Sequence, residues 1–318
     1  MAEARRIVVT GATGSIGQRL VPELQRRGFR VRALVRSVER AARVLPPQVE
    51  LFAWDPGREE LPPAEAFAQV WGVCNLAGAP ISRRWTPAVK AQIVASRVEL
   101  TRRLVRALQQ WGQMVQVLVS TSAVGYYGDC GEELCREERP PGKDFLAKVC
   151  QEWEAAAQEA APRVRVVCLR LGVVLDPRAG ALAQLLPVMR SFLGGTLGSG
   201  QQWFPWVHWA DVVAAFAWAL ETPTASGAYN VAAPGIVRFR EFCRELARLL
   251  GRPCWLRVPV WALRLRYGEL ADALVASQRA EPFRLRAEGF QFAYARLEEA
   301  LGELLGTKFA RASSQSAG

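Results

Sequence analysis

The sequence of 318 residues predicts an α/β protein with a doubly wound parallel sheet and a smaller C-terminal lobe. Short β-branched runs alternate regularly with amphipathic helical stretches up to about residue 175, which is typical of parallel strands joined by right-handed crossovers. Beyond that point the alternation becomes irregular. We therefore assign residues 1–175 and about 206–235 to the sheet domain, and about 176–205 and 236–306 to the smaller lobe.

A glycine-rich turn separates the first strand from the first helix. Residues 7–9 form a β-branched run, three glycines follow at intervals of three, and apolar residues then recur at helical spacing as far as Gly28. Glycines let the backbone approach a pyrophosphate closely, and the positive end of the helix faces its charge. The pattern predicts a dinucleotide site in a Rossmann-type fold, formed by Gly11, Thr13, Gly14, Ser15, Ile16 and Gly17.

The second predicted strand, residues 30–35, ends at Arg36 and Ser37. An acidic residue at this position would take the ribose 2′-hydroxyl of NAD, whereas an arginine accommodates the 2′-phosphate of NADP. Arg36 therefore predicts NADP(H) as the cofactor, with Arg32 and Arg40 as candidate helpers. The alternative is that Arg36 is one surface arginine among many.

Two further strands are predicted at residues 49–53 and 70–75. Asp55 follows the first of them, where its carboxylate could reach the adenine amino group, although Asp before Pro is also an ordinary turn. The second leads into a run with small residues that would let the chain pass close to the cofactor ribose: Leu76, Ala77 and Gly78.

A long amphipathic helix is predicted over residues 86–110, and Arg97 falls on its apolar face. A charge in that position must find a partner or a ligand, because stranding it would cost about 3 to 5 kcal/mol, as for a broken buried pair. Arg97 is therefore more informative than a surface arginine.

The fifth predicted strand, residues 115–119, delivers residues 120–128 to the carboxyl edge of the sheet, where ligands bind in open α/β folds. A helix over 144–160 and a sixth strand over 164–171 follow. The run 194–200 lacks the Gly-Lys-Ser/Thr ending of a P-loop, so we interpret it as a flexible loop over a cleft.

His208 is the single histidine of the chain. It could be a base, but no Ser or Cys nucleophile stands near it in a hydrolase motif, so we favour a structural hydrogen-bonding role. A seventh strand is predicted at residues 229–231, and the small, polar segment 307–318 is predicted to be a disordered tail. The C-terminal helices are predicted at 239–250, 260–277 and 297–305.

Composition narrows the classes of partner and location. The net charge of +11 could indicate nucleic-acid binding, but the arginines are spread along every predicted helix without aromatic interleaving, which favours a solvated surface and no nucleic-acid partner. No apolar run reaches the ~18 residues that span a bilayer, and the first six residues are too polar for a signal peptide. We expect a cytoplasmic protein with no membrane association.

The cysteine usage predicts reduced thiols. Seven cysteines are scattered through predicted strands and helices, without a Cys-x-x-Cys pair and with only one histidine in the chain. This pattern favours neither a disulfide framework nor a metal site.

The sequence resembles the extended short-chain dehydrogenase/reductases, and more closely their atypical epimerase-like branch, often labelled nucleoside-diphosphate-sugar epimerase or cell division inhibitor. The resemblance covers nearly the whole chain and implies a nicotinamide cofactor, with NADP(H) indicated by Arg36, and a substrate lobe at the C-terminus. It is carried by Asp55 and by TGATGSIG (10–17), NLAGAPI (75–81), RW (84–85), SAVGYYG (122–128), WE (153–154), GGTLGSG (194–200), VHWAD (207–211) and GEL (268–270).

The resemblance also identifies a departure from the usual chemistry. In active members of the superfamily a serine polarises the substrate oxygen, a tyrosine transfers its proton, and a lysine four residues later holds the nicotinamide ribose. Ser122 matches the serine, but Leu146 and Cys150 stand at the tyrosine and lysine positions, and Arg97 replaces an upstream asparagine. This puts standard carbonyl reduction in doubt, because such acid/base groups contribute roughly a hundred- to ten-thousandfold in rate.

Other residues could substitute for the missing pair. Tyr126 or Tyr127 could donate the proton, with Lys148 or Arg97 lowering its pKa, or Cys150 could act as a thiolate beside Arg97. The alternative for Cys150, which we favour, is a small apolar residue packed on its helix. The candidate catalytic residues are therefore Ser122, Tyr127, Cys150 and Arg97.

Two functions remain open at this point. The first is an NADP(H)-dependent oxidoreductase or epimerase that acts on an unidentified small hydroxyl or carbonyl compound, with Ser122 at the substrate oxygen. The second is a non-catalytic NADP(H)-binding protein that regulates a protein partner, which the missing tyrosine and lysine favour.

Overall fold

The computed structural model describes residues 4–306, so the predicted tail at 307–318 lies outside the described residues. The strands of this range are β1 (Arg6–Thr10), β2 (Arg30–Val35), β3 (Glu50–Ala53), β4 (Val70–Asn75), β5 (Val117–Ala123), β6 (Leu134–Cys135), β7 (Arg165–Leu171), β8 (Val173–Leu175), β9 (Gly195–Leu197), β10 (Trp203–Phe204), β11 (Trp206–His208), β12 (Gly227–Val231), β13 (Val237–Arg238), β14 (Leu256–Val258) and β15 (Arg279–Ala280).

The helices of the same range are α1 (Gly17–Arg26), α2 (Val38–Ala42), α3 (Pro87–Val94), α4 (Leu100–Trp111), α5 (Phe145–Gln158), α6 (Gly180–Arg190), α7 (Trp209–Glu221), α8 (Phe239–Leu250), α9 (Val260–Tyr267), α10 (Leu270–Val275), α11 (Phe283–Ala287) and α12 (Leu297–Leu305). Short 3₁₀ turns occur at Ala64–Phe67 and Val124–Tyr127, and a π-helical turn joins α3 to α4 at Ala95–Glu99.

The central sheet has seven strands in the order β12-β7-β5-β4-β1-β2-β3, and every neighbouring pair is parallel. The chain winds from β1 outward to β3 and then returns to β4 on the other side of β1. The sequence-based prediction of a doubly wound parallel sheet is confirmed. The chain adds strands on one side of β1 as far as β3 and on the other side from β4 onward, so the winding direction reverses between β1 and β4. Ligands of open α/β sheets bind at such a switch point.

Strand β1 shows why the β-branched runs are central strands. Ile7 and Val9 point into one apolar core, which contains α1 and α7, while Val8 points into the other, which contains α4 and α5. All three side chains are buried. A parallel sheet is covered on both faces, so its strands need apolar residues at every position rather than at alternate ones.

Three predicted elements differ from the observed ones. The helix expected at 86–110 is interrupted by the π-helical turn, and the helix expected at 260–277 divides into α9 and α10 at Gly268, whose φ of 62° is left-handed. The expected loop at 194–200 contains β9, which pairs in parallel with β14. Hydrogen bonding to a distant strand overrides the local signal of its glycines, which propensity alone does not reveal.

The C-terminal part has an apolar core of its own. Helices α6, α8 and α12 meet around buried side chains that include Leu186, Phe242 and Leu301. Among residues 4–306, no helix combines the length and the apolar character needed to cross a bilayer. The same range holds no cluster of His, Cys, Asp and Glu arranged to bind a metal ion.

Candidate cofactor and active site

The turn after β1 is packed so closely, on itself and on the turn after β4, that only glycine fits at two of its positions. Gly11 has φ +67°, and a Cβ on it would stand 2.7 Å from the carbonyl carbon of Leu76 and 2.9 Å from the nitrogen of Ala77. A Cβ on Gly17 would stand 2.3 Å from the Gly11 oxygen. These two glycines are therefore required by the protein's own packing.

Gly14 is different, because a Cβ there would meet only the Gly11 oxygen at 3.2 Å. Thr13, Gly14 and Ser15 are exposed, and no side chain caps the start of α1. The Gln18 nitrogen donates to the Gly14 oxygen at 2.9 Å, but the nitrogens of Ser15 and Ile16 form no hydrogen bond within residues 4–306 and lie at the positive end of the helix dipole. The turn thus offers an open cradle for an anion, which fits the pyrophosphate of a dinucleotide.

Arg36 is exposed at the carboxyl end of β2 and forms no ion pair with any carboxylate of the described range. Ser37 caps α2, accepting a hydrogen bond from the Arg40 nitrogen and donating one to Glu39. The Arg36 guanidinium is free to bind an anionic group beside the glycine turn.

Arg32 is buried, and its side chain is fully engaged. It pairs with Glu50 at 3.0 Å and donates to the carbonyl oxygens of three residues in the segment before β4. The expectation that Arg32 helps to hold a 2′-phosphate is wrong, because its guanidinium is already committed to the protein.

Asp55 forms the turn that its sequence context suggests. Its Oδ1 accepts a hydrogen bond from the Gly57 nitrogen at 3.0 Å, and Arg58 approaches its other oxygen at 3.6 Å. The carboxylate is partly exposed, so an adenine contact remains a prediction beside the turn role.

Asn75 joins the carboxyl ends of the central strands. Its Oδ1 accepts from the Thr10 hydroxyl at 2.7 Å, and its amide nitrogen donates to Thr101 at 2.8 Å and to Ser120 at 3.1 Å. Through these bonds one buried side chain fixes β1, β4, β5 and α4 relative to one another. The sequence reasoning missed this role, although a polar residue that ends an apolar strand was a visible signal.

Arg97 lies in the π-helical turn and points at the loop after β4. Its Nη2 donates to the Ala79 oxygen at 3.0 Å, its guanidinium lies 5.3 Å from the Trp153 ring, and a Cβ on Gly78 would stand 3.2 Å from its Cζ. Burial lowers the pKa of Arg97, and no carboxylate in the described residues pairs with it. The sequence predicted a partner or a ligand for the charge of Arg97. In the structure the guanidinium is held by the backbone oxygen of Ala79 and by the Trp153 ring.

Ser122 belongs to a buried chain of hydrogen bonds. Its hydroxyl donates to Glu154 Oε1 at 2.6 Å, and Glu154 is held by Arg170 through two bonds of 2.8 Å each. The Ser122 side chain is 1% exposed. Sequence reasoning did not identify Arg170, although a charged residue within a buried strand must have a partner.

Tyr127 extends the same network into the interior. Its hydroxyl donates to Asn230 Oδ1 at 2.8 Å and accepts from Arg170 Nη1 at 2.9 Å, and burial raises its pKa. The geometry opposes the expectation that Tyr127 donates a proton to a substrate, because that proton already bonds Asn230. Tyr126 is partly exposed, with the Arg170 guanidinium 3.6 Å from its ring centre.

Cys150 is a buried, neutral thiol. Burial raises its pKa to about 12, an effect that the nearby Arg97 only partly offsets. Leu146 and Cys150 both face Gly125, at 3.6 Å and 4.0 Å from where its Cβ would stand. The structure therefore opposes the thiolate alternative, since a thiol with this pKa is protonated at neutral pH.

His208 is fully buried at the start of α7. Its Nδ1 accepts a hydrogen bond from the Ala210 nitrogen at 3.1 Å, so the proton resides on Nε2, which lies 2.9 Å from Glu303. Burial lowers the pKa of His208. Both ring nitrogens are hydrogen-bonded to protein groups. This arrangement fits the structural hydrogen-bonding role that the sequence favoured over a catalytic base.

Comparison with known proteins identifies the family. The model of the "NAD dependent epimerase/dehydratase family" matches residues 7–232, and a "domain of unknown function (DUF1731)" matches residues 258–304. The chain is 41% identical over 301 residues to the "Epimerase family protein SDR39U1 homolog, chloroplastic" of Arabidopsis thaliana, covering 94% of this chain and 86% of that protein. It is 35% identical over 302 residues to the "Epimerase family protein YfhF" of Bacillus subtilis, covering 94% and 97%.

Solved structures agree with this assignment. The human epimerase family protein SDR39U1 with NADPH superimposes with a TM-score of 0.84 at 31% identity, covering 95% of this chain and 100% of that one. A UDP-glucuronic acid 4-epimerase from Bacillus cereus, with NAD, has a TM-score of 0.77 at 16% identity and 95% and 98% coverage, which shows the fold alone. The chain belongs to the NAD-dependent epimerase/dehydratase family and, within it, to the NAD(P)-binding, SDR39U1-like branch of atypical short-chain dehydrogenase/reductases.

Proposed function

We propose that this protein binds NADP(H) and is an oxidoreductase or epimerase for a small hydroxyl or carbonyl compound. The observation that carries the proposal is the exposed, unpaired Arg36 beside the open glycine turn. A planar guanidinium matches the oxygens of the 2′-phosphate of NADP, whereas the 2′-hydroxyl of NAD is bound by an acidic residue. The NADPH in the human SDR39U1 structure belongs to that protein and supports the choice of cofactor here.

The cradle assigns a role to each part of the cofactor. When bound, NADP(H) supplies or accepts the hydride, and the protein orients it. In this proposal the glycine turn holds the pyrophosphate, Arg36 and Ser37 hold the 2′-phosphate, and Asp55 faces the adenine amino group. The ribose on the nicotinamide side lies along Leu76, Ala77 and Gly78.

Arg97 takes the place of the missing lysine in this proposal. The position four residues after Leu146 holds an uncharged thiol, but Arg97 reaches the same region from another helix and contacts the Gly78 loop. Arg97 also acts electrostatically on Cys150, lowering a pKa that burial raises. A cation thus remains where the superfamily uses one against the nicotinamide ribose, although its source differs.

Ser122 is proposed to contact the substrate oxygen as an acceptor. Its hydroxyl hydrogen is given to Glu154, so the lone pairs of Oγ are what it can offer a ligand. This favours a substrate hydroxyl, which donates a hydrogen bond, over a carbonyl, which needs one. Because Ser122 is buried, this contact requires a local movement that opens its hydroxyl to the substrate.

The test is a screen of sugar nucleotides, alcohols and small carbonyls for conversion of NADP⁺ or NADPH by the purified protein. We expect turnover that Ser122→Ala lowers by about tenfold, because the substrate hydroxyl loses its acceptor and a lost hydrogen bond of about 1.4 kcal/mol is a factor of ten in rate. The matched control is Ser191→Ala, since the Ser191 hydroxyl is exposed and bonds only within its own helix. Equal turnover in the Ser122 variant would remove the proposed mechanism.

A second function is favoured by one observation. All three candidate groups are buried: the hydroxyls of Ser122 and Tyr127 are hydrogen-bonded to protein groups, and the thiol of Cys150 is neutral. This is typical of a protein that binds a cofactor without catalysing a reaction with it. The alternative is a regulatory protein whose affinity for a protein partner depends on NADP(H). It predicts no turnover in the screen, and a partner captured in different amounts with and without NADPH.

The cytoplasmic location expected from the sequence stays a prediction.

A further inference from the structure

A groove in the C-terminal part lies between α8 and the β9–β14 ladder, and we call it the α8 groove. It encloses a cavity of about 230 Å³. The residues of its lining that matter here are Thr196, Ser199, Arg240, Arg244, Trp255 and Arg257.

Two elements direct arginines into this groove. Arg240 and Arg244 are four residues apart on α8, so their side chains share one face of the helix. Arg257 stands on the neighbouring strand, opposite Thr196 in the register of the ladder. The groove therefore has cationic side chains on both of its walls.

These arginines have no counter-charge in the described part of the chain. None of the three forms an ion pair there, and no carboxylate lines the groove. Their neighbours behave differently, because Arg238 pairs with Glu132 at 2.8 Å and Arg248 pairs with Glu245 at 2.6 Å. Three like charges held together repel one another, and an anion in the groove would relieve that repulsion.

Two polar groups in the groove are buried without a partner. The Thr196 hydroxyl and the Arg240 Nε form no hydrogen bond within residues 4–306, and Thr196 is only 9% exposed. Leaving a buried donor unsatisfied is costly, so such groups are rare unless a ligand or water completes them. Both belong to side chains that line the groove, so a small rotation of each would let it donate to an oxyanion between the arginines.

We propose that the α8 groove binds a small anion that carries a phosphate group. Guanidinium groups match phosphate oxygens in pairs, and the Thr196 hydroxyl adds a neutral donor beneath them. Trp255, which is 66% exposed, provides an aromatic surface at the rim against which a ring attached to the phosphate can stack. None of these residues belongs to the glycine turn or to the ends of the central strands, so this site is additional to the cofactor site.

The test uses inorganic pyrophosphate as the probe and the full chain saturated with NADPH, at constant ionic strength. Calorimetric titration is expected to show saturable binding of one pyrophosphate without release of NADPH, which fluorescence follows in the same sample. The double variant Arg244→Gln with Arg257→Gln is expected to bind the probe at least about tenfold more weakly, since charge-assisted bonds are lost. Thr196→Val, which keeps the shape of the side chain, is expected to weaken binding as well.

The control is the double variant Arg248→Gln with Arg264→Gln, which removes the same charge from arginines of the same region that pair with Glu245 and Asp272. It is expected to bind pyrophosphate as the wild type does, and both double variants are expected to keep their NADPH affinity. Binding that does not saturate, release of NADPH by the probe, or equal weakening in the two double variants would overturn the proposal.

Discussion

Arg170 is a charged residue in a central strand, and three groups share its guanidinium. Glu154 receives two hydrogen bonds from it, and the Tyr127 hydroxyl and the Glu137 carbonyl oxygen receive one each. This sharing satisfies a charge that would otherwise be stranded in the interior. Sequence alone identified Arg36, which faces outward at a strand end, but it could not identify the partners of Arg170, because they come from segments far apart in the chain.

Glu154→Gln tests the weight of this buried pair. The substitution leaves Arg170 without a counter-charge, so we expect the free energy of unfolding to fall by about 3 kcal/mol in urea titrations near neutral pH. Glu245→Gln is the matched control, because its partner Arg248 is largely exposed, and a loss below about 1 kcal/mol is expected there. Similar losses in both variants would contradict the account of the network.

At the scale of elements, periodicity predicted the central strands and most helices, and it failed where a local rule was overridden. The π-helical turn at Ala95–Glu99 is one case, because an extra residue in a helix leaves the apolar pattern nearly intact. Such turns occur frequently at functional sites, and this one carries Arg97. The strand β9 is another case, since its pairing with β14 depends on a segment about sixty residues away.

The glycine turn allows a prediction that separates packing from binding. Gly14→Ala should cost much less stability than Gly11→Ala, because the added Cβ meets one atom only, the Gly11 oxygen at 3.2 Å, which has to shift slightly. It should weaken NADPH binding by at least about tenfold, because it blocks close approach of the pyrophosphate. Gly11→Ala should instead destabilise the fold, because its Cβ would meet backbone atoms of the loop after β4 and its φ is left-handed. Thermal unfolding and NADPH titration of both variants provide the check, and full NADPH affinity in the Gly14 variant would contradict the account.

Glu23 pairs with Arg26 and Arg27 at the C-terminal end of α1. These pairs predict that the free energy of unfolding depends on pH. The hydrogen bond from Arg26 is the main cause that lowers the pKa of Glu23 to about 2 from 4.5. A lowered pKa in the folded state stabilises the protein above the unfolded value, and that contribution is lost as the pH falls from about 4.5 towards 2.

The comparison is with Glu23→Gln, which lacks this charge at every pH. We expect the wild type to be more stable than the variant near neutral pH by up to about 1 kcal/mol, as for surface pairs, and the difference to shrink in acid. Urea titrations of both proteins near neutral pH and well below pH 4.5 measure this difference in the free energy of unfolding. A difference that grows on acidification would show that Glu23 is not held as an ion.

At the scale of the whole molecule, the alternation of strands and helices predicted a doubly wound parallel sheet, and the structure adds the strand order β12-β7-β5-β4-β1-β2-β3. The carboxyl ends of β1, β2 and β4 then bring together residues that are far apart in sequence, namely the glycine turn, Arg36 and the Gly78 loop. The chemistry is harder to predict, because burial decides which hydroxyls and thiols are available, and burial depends on the C-terminal segments. For example, the side chain of Gln278 donates to the backbone oxygen of Gly128, next to Tyr127, and Asn230 accepts the hydroxyl proton of Tyr127.

The most direct test of the account is the affinity of Arg36→Ala for NADPH and NADH, measured by titration beside the wild type. Arg36 is exposed and unpaired within the described residues, so the substitution should leave the fold intact. We predict that NADPH binds the variant at least about tenfold more weakly, since a charge-assisted phosphate contact is lost, while NADH affinity is unchanged. Equal weakening of both dinucleotides, or of neither, would contradict the assignment of Arg36 to the 2′-phosphate and with it the NADP(H) preference.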